Sequence, residues 1–243
     1  KGTDLSPGNF SGTAYAWRWG MEAQYAEDPV TGTILTIKSD SYSFFGTLYT
    51  VNNGVLSSRR YSFTNTENYN YTTTKLPNLN PSGNHPLGSI AYDGTYFILM
   101  PYSATNHFWR ITPADLIADN DWTFLTTRSA VYGTLTGNGI DTVIFTSHTS
   151  TGYIYVTKDG GLSWLSVSTG STIDTSYDTS CSLRLFPPVW NGTVWFVAFH
   201  GTFHTSTSPN ALTWTVRYNL SAFAGYSGTG SYSNSYKTYY MQV

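Results

Sequence analysis

Charge is scarce in this chain. Its 243 residues carry only 12 Lys and Arg against 14 Asp and Glu, a net charge of -2, and charged residues make up 11% of the sequence. Neutralising phosphates or settling on an anionic bilayer needs a basic field, so nucleic acid and membrane insertion are not expected. Glutamate is rarer still, present only as Glu22, Glu27 and Glu67. The single cysteine, Cys181, excludes an intramolecular disulfide framework and any cysteine-rich metal site, and reads as core. No apolar run approaches the ~18 residues of a membrane-spanning helix, and no secretory leader pattern opens the chain. The chain starts at Lys1, without a methionine, and reads as a trimmed domain of a longer protein. Helical periodicity is nearly absent too; only residues 113–118 could make one turn.

What is present is strand chemistry. Aromatic residues make up 17% of the chain, Gly occurs 22 times, and Thr and Ser are abundant. The sequence also repeats. Three segments share one layout: residues 92–100, 108–112 and 121–124; residues 141–146, 153–157 and 163–167; and residues 191–198, 202–205 and 213–216. Each reads as strand, loop, strand, turn, strand, punctuated by Asp-Gly, Asn-Gly or Gly-Gly. A fainter copy precedes them at 31–37, 47–51 and 55–63, with Asn52-Asn-Gly54 as a hairpin turn. Candidate innermost strands lie upstream of the sets: Ser89-Ile-Ala-Tyr92, Ala130-Val-Tyr132 and Leu183-Arg-Leu-Phe186.

A repeat of roughly 45 to 50 residues with four strands corresponds to one propeller blade. The C-terminal residues 231–235 and 238–243 supply half a blade. Ala14-Tyr-Ala-Trp-Arg-Trp19 supplies outer-strand material. Joining the two ends makes a last blade and removes exposed sheet edges. The expected fold is therefore all-β: a single β-propeller domain, 1–243, of about five four-stranded blades with N/C-terminal closure of the last; six blades is the alternative count.

One stretch is a motif. Thr157-Lys-Asp159-Gly-Gly161-Leu-Ser163-Trp164 matches the pattern Ser/Thr-x-Asp-x-Gly-x-Ser/Thr-Trp at every defined position, and Thr207-Ser-Pro-Asn-Ala-Leu-Thr213-Trp214 is a worn copy. The chain thus resembles Asp-box β-propellers, which include sialidases, secreted glycan-active proteins and phage or viral attachment proteins. The resemblance implies that the box lies between a blade's third and fourth strands, on the face away from the ligand. Its physical content is structural: Asp159 to accept backbone N–H bonds, Gly161 to adopt positive φ, Trp164 to pack between sheets.

With the box on one face, the longest links fall on the other: 64–86, 168–180 and 219–230. Links this long inside a compact domain mark function or disorder. They are rich in Tyr, Ser, Asn and Gly, the residues of adaptable binding loops. The candidate ligand-binding set is Tyr69, Tyr71 and His85 from the first link, Asp174 and Tyr177 from the second, and Tyr226 from the third.

Catalytic constellations are not found. A sialidase needs an arginine trio, a Tyr–Glu pair and an acid Asp. The arginines Arg59, Arg110 and Arg217 fall on outer strands here, and the family's Phe/Tyr-Arg-Ile-Pro signature is missing. Paired carboxylates for other glycosidases, such as Glu22 with Asp28 or Glu67 with Asp174, have no motif behind them. His107, His148 and His200 recur after the second strand of successive sets, but their spacings match no metal site, and repeated packing is the preferred reading. No cofactor and no metal is expected. By resemblance, the expected function is a non-catalytic receptor-binding or adhesion propeller: a phage tail-fibre or virion-spike head recognising a host cell-surface glycan or protein. It would be displayed on a homo-oligomeric fibre or spike at the virion surface or otherwise outside the cell. The alternative is a sialidase-like carbohydrate-active hydrolase.

Overall fold

The computed structural model describes residues 24–37, 45–63, 75–77, 87–101, 108–125, 133–147, 153–168, 188–199, 202–207 and 211–219. The first sheet contains β1 (Gln24–Asp28), β2 (Thr33–Ile37), β3 (Phe45–Asn52) and β4 (Val55–Ser62). The second contains β5 (Leu87–Tyr92), β6 (Phe97–Pro101), β7 (Phe108–Ile111) and β8 (Thr123–Leu125), with the short helix α1 (Pro113–Ile117) between its last two strands. The third holds β9 (Gly133–Gly137), β10 (Val143–Ser147), β11 (Tyr153–Thr157) and β12 (Leu165–Ser168). The fourth holds β13 (Val189–Trp190), β14 (Trp195–Phe199), β15 (Thr202–Ser206) and β16 (Thr215–Asn219).

In every sheet the strands stand in chain order and neighbours run antiparallel. The first strands lie side by side, β1 against β5, β5 against β9 and β9 against β13. Four meanders joined through their first strands form an all-β propeller arrangement. The described residues hold four blades where the sequence pattern predicts five; 14–19, 231–235 and 238–243, the material of the fifth, lie outside them.

Two inner strands differ from expectation. In the third sheet the strand is Gly133–Gly137, not Ala130-Val-Tyr132, which lies outside the described residues. Its bounding glycines read as turn punctuation, but Gly137 serves close approach: a Cβ there would fall 1.9 Å from the Tyr92 carbonyl oxygen of β5. In the fourth the inner strand is Val189–Trp190, not Leu183-Arg-Leu-Phe186, which again lies outside them. A third difference is β1, which completes the first sheet and alternates outward Tyr25 and Glu27 with buried Ala26 and Asp28.

The core is a series of inter-sheet layers. Leu35, Ile37, Leu48, Tyr61 and Phe63 of the first sheet and its end meet Ile90, Phe97, Leu99, Trp109 and Trp122 of the second. On the second sheet's other side, Ile98, Met100 and Phe108 meet Leu135, Val143 and Phe145 of the third. Ile144, Ile154 and Val156 then meet Trp195 and Val197 of the fourth. Sheets packed on both faces need apolar residues at consecutive positions, which is why Phe97, Ile98, Leu99 and Met100 are all buried.

Candidate functional site

Antiparallel chain order gives each sheet two different ends. The turns joining first to second and third to fourth strands lie at one end. The second-to-third loops and the exits from the fourth strands lie at the other.

At the turn end, one device recurs four times: an Asp or Asn closing the first strand accepts backbone N–H groups inside the turn that follows. Asp28 Oδ1 accepts from Val30 N–H at 3.0 Å, and Thr31 donates its hydroxyl to Oδ2. Asp93 Oδ1 accepts from Thr95 at 2.8 Å and Tyr96 at 2.7 Å. Asn138 Oδ1 accepts from Ile140, Asp141 and Thr142 at 2.9 to 3.0 Å. Asn191 Oδ1 accepts from Thr193 at 3.0 Å and Val194 at 2.8 Å. The signal was in the sequence, as an Asx followed by Gly at 93, 138 and 191, but reading it only as turn punctuation missed the side-chain role.

Residues 157–164 join β11 to β12. Asp159 Oδ1 accepts from Ser163 N–H at 2.9 Å and Thr157 Oγ1 at 2.8 Å, and Ser163 donates its hydroxyl to Oδ2. Gly161 takes φ +85. The half-buried Trp164 ring lies 4.9 Å from Phe108 of the second sheet and 6.2 Å from Phe145 of the third. Arg110 of β7 stacks over Tyr96 at 4.3 Å and donates to the Asp159 carbonyl at 3.0 Å, tying the second sheet to this turn.

The carboxyls of two turn aspartates are shifted in opposite directions. Burial raises the Asp93 carboxyl above its ordinary value, although Tyr96, Thr95 and Arg110 all pull it down. Burial opposes ionisation of Asp159 as well, but hydrogen bonds from Ser163 and Thr157 outweigh it and hold the carboxyl below the usual range. The Asp159 contribution to stability is therefore complete above its unfolded-state value near 4 and fades as pH falls through the lowered one. Trp164→Ala is expected to cost about 3 kcal/mol, the lower end for a large aromatic because the ring is half-buried. Trp164→Phe should cost far less, since the indole N–H has no acceptor among the described residues. Thermal melts read both, and ligand attachment measured below each melting temperature should match wild type.

A second cluster was not anticipated. Lys75 is buried; its ammonium pairs with Asp119 and lies 5.0 Å over the Tyr61 ring, while Arg59 approaches the same carboxylate at 3.4 Å. Backbone bonds run from Lys75 N–H to Phe63 O at 2.9 Å and from Trp122 N–H to Lys75 O at 2.8 Å. Trp109 Nε1 donates to Pro77 O at 2.9 Å, and Leu76 is fully buried. Residues 75–77 thus pin the first long link against the second sheet, between the part carrying Tyr69 and Tyr71 and the part carrying His85. A lone lysine before Leu-Pro in a Thr-rich link was the only sequence signal.

Six aspartates are engaged in these and similar contacts. Besides Asp28, Asp93, Asp119 and Asp159, Asp141 pairs with Lys158 at 2.9 Å and Asp115 accepts from Thr112 and Asn120. Among the described residues no group of three or more His, Cys, Asp or Glu is placed to hold a metal. Tyr69, Tyr71, His85, Asp174, Tyr177 and Tyr226 lie outside the described residues, as do His107, His148 and His200. The structure describes the strands that lead to the six: β4 before Tyr69, Tyr71 and His85, β12 before Asp174 and Tyr177, and β16 before Tyr226. All three are fourth strands, leaving their sheets at the end opposite the turns.

No protein-family model matches the sequence, and no curated protein matches it. Solved structures resemble it in fold. A structure of U3-55K aligns at TM-score 0.48 and 11% identity, over 82% of this chain and 52% of that one. Selenomethionine-substituted virginiamycin B lyase from Staphylococcus aureus aligns at TM-score 0.42 and 10% identity, over 74% and 49%. Kluyvelomyces marxianus Hsv2 aligns at TM-score 0.39 and 11% identity, over 71% and 45%. The chain spans about half the length of these structures, and at such identities the likeness does not extend to activity.

Proposed function

We propose that this chain is a non-catalytic binding propeller that recognises a host cell-surface glycan or protein through the links leaving its fourth strands. A phage tail-fibre or virion-spike head displayed at the virion surface on a homo-oligomeric fibre is the setting that fits, and a five-bladed ring closed by the chain's two ends belongs to the same reading. The observation that carries it is the division of labour between the two ends of the sheets. At the turn end, aspartates and asparagines are consumed in holding backbone. From the opposite end depart three long links rich in Tyr, Asn, Ser and Gly, one of them pinned at 75–77. Tyrosine rings offer flat amphipathic area for a sugar face or a protein pocket, and neighbouring Asn, Asp and His fix orientation. Modest affinity per site gains strength from multivalent display.

Alanine substitution of Tyr69, Tyr71 and Tyr177, one at a time, is expected to weaken attachment to host cells while shifting the melting temperature by no more than a few degrees, because surface changes rarely cost more than about 0.5 kcal/mol. Lys158→Ala, at the turn end, should leave attachment unchanged. If all three tyrosine variants attach as wild type and Lys158→Ala does not, the functional end is the other one.

A further inference from the structure

In a closed propeller every sheet is sandwiched, so a ring needs as many inter-sheet layers as it has blades. The described sheets have three layers: first with second, second with third, third with fourth. Among the described residues no hydrophobic cluster joins the fourth sheet to the first. The first sheet shows the consequence. One face, Ala26, Leu35, Leu48, Ile37 and Tyr61, is buried against the second sheet. The register places Tyr25 beside Thr36 and Thr47, and Ile34 beside Tyr49, on the other face, with the Val51–Leu56 pair below them. That face is open at β1, where Tyr25 is 66% exposed, and at the β3–β4 hairpin tip both faces are open, with Leu56 63% and Val51 45% exposed on this one and Val55 66% on the other. Burial along β2 therefore alternates, where β6 is buried at successive positions. The fourth sheet has the same character, with Trp195 and Val197 buried and Phe196 between them only half-buried.

The chain itself reaches this gap from both sides. The segment before Gln24 enters the first sheet, and the segment after Asn219 leaves the fourth. Together they are about one blade in length, and they contain the strand-forming Ala14-Tyr-Ala-Trp-Arg-Trp19 and Thr238-Tyr-Tyr-Met-Gln-Val243. We infer that the outer face of the first sheet, built on Tyr25, Ile34, Tyr49, Val51 and Leu56, is the seat of a fifth sheet formed by 14–19 with 231–235 and 238–243. This rests on the five-bladed reading and gives that reading its contact surface. Alternate side chains of a strand share a face, so Tyr239 and Met241 of the last strand would meet Tyr25, Tyr49 and Leu56, shielding apolar area that is otherwise left to water. Ring closure then depends on both ends of the chain at once.

Amide hydrogen exchange on the intact chain tests this. Residues 238–243 are expected to exchange at least a hundredfold more slowly than an unstructured peptide. Tyr25→Asp or Leu56→Asp should return them to the unstructured rate while β6 and β10 stay protected. Ile117→Asp, a change at another exposed apolar residue on α1, should leave the pattern untouched. Unprotected 238–243 in the wild-type chain would overturn the inference, and so would protection indifferent to both face variants. So would protection or a melting temperature that rises with protein concentration, the signature of a second copy covering the face. Failure of the tyrosine-link variants to weaken attachment would leave this exchange pattern as it is, so the two readings fail separately.

Discussion

Trp122→Ala is expected to lower stability by about 3–5 kcal/mol, a fall in melting temperature of roughly 10–15 °C for a chain of this length. The indole is 1% exposed, stands 5.8 Å from Phe63, and donates Nε1–H to the Tyr61 hydroxyl at 3.0 Å. Removing it opens a cavity in the layer between the first and second sheets. It also strips the hydrogen-bond donor from a tyrosine whose pKa burial already pushes up to about 12, and a buried polar group left unpaired adds its own cost. Trp122→Phe keeps part of the volume but not the N–H, so thermal melts should order the three proteins wild type, Phe, Ala. If the alanine variant melts within two or three degrees of wild type, the packing of Trp122 between these sheets is wrong.

Gly137→Ala is expected to be comparably damaging for the opposite reason. The added methyl would sit 1.9 Å from the Tyr92 carbonyl oxygen, and that atom belongs to the backbone of the neighbouring inner strand and has nowhere to go. The strands β5 and β9 must part, which breaks the bond from Leu135 N–H to Ser89 Oγ at 2.8 Å. Overpacking of this kind costs about 3 kcal/mol. In native-state hydrogen exchange the loss should concentrate in β5 and β9 and spare β2 and β3. A uniform loss, or none, would show that the close approach does not hold these sheets together.

These two sites mark where sequence reading succeeds and where it stops. The strands of the central sheets are legible because a sheet buried on both faces writes itself as an apolar run, Phe97 to Met100, bounded by turn residues. The sequence Gln24-Tyr-Ala-Glu-Asp28 is harder to read: its two acids and short length give no strand signal, and Asp28 is buried only because the turn beyond it donates to the carboxylate. Gly133-Thr-Leu-Thr-Gly137 looks like a loop until the neighbouring carbonyl explains its last glycine. The turn at 157–164 could be read from its pattern alone because its hydrogen bonds are local. The Lys75 cluster could not, since its partners Asp119, Trp122 and Trp109 are distant in sequence. For the proposed ligand-binding residues, the sequence names link tyrosines that the described strands lead toward, and they lie outside the described residues.

A glycan array probed with the labelled chain, its Tyr69→Ala/Tyr71→Ala/Tyr177→Ala triple variant and Lys158→Ala tests the central claim most directly. The account predicts that wild type and Lys158→Ala bind the same glycans and leave them chemically intact, while the triple variant loses the signal and still melts well above the assay temperature. Cleavage of an arrayed glycan by the wild-type chain, or binding that survives in the triple variant and vanishes in Lys158→Ala, would contradict it.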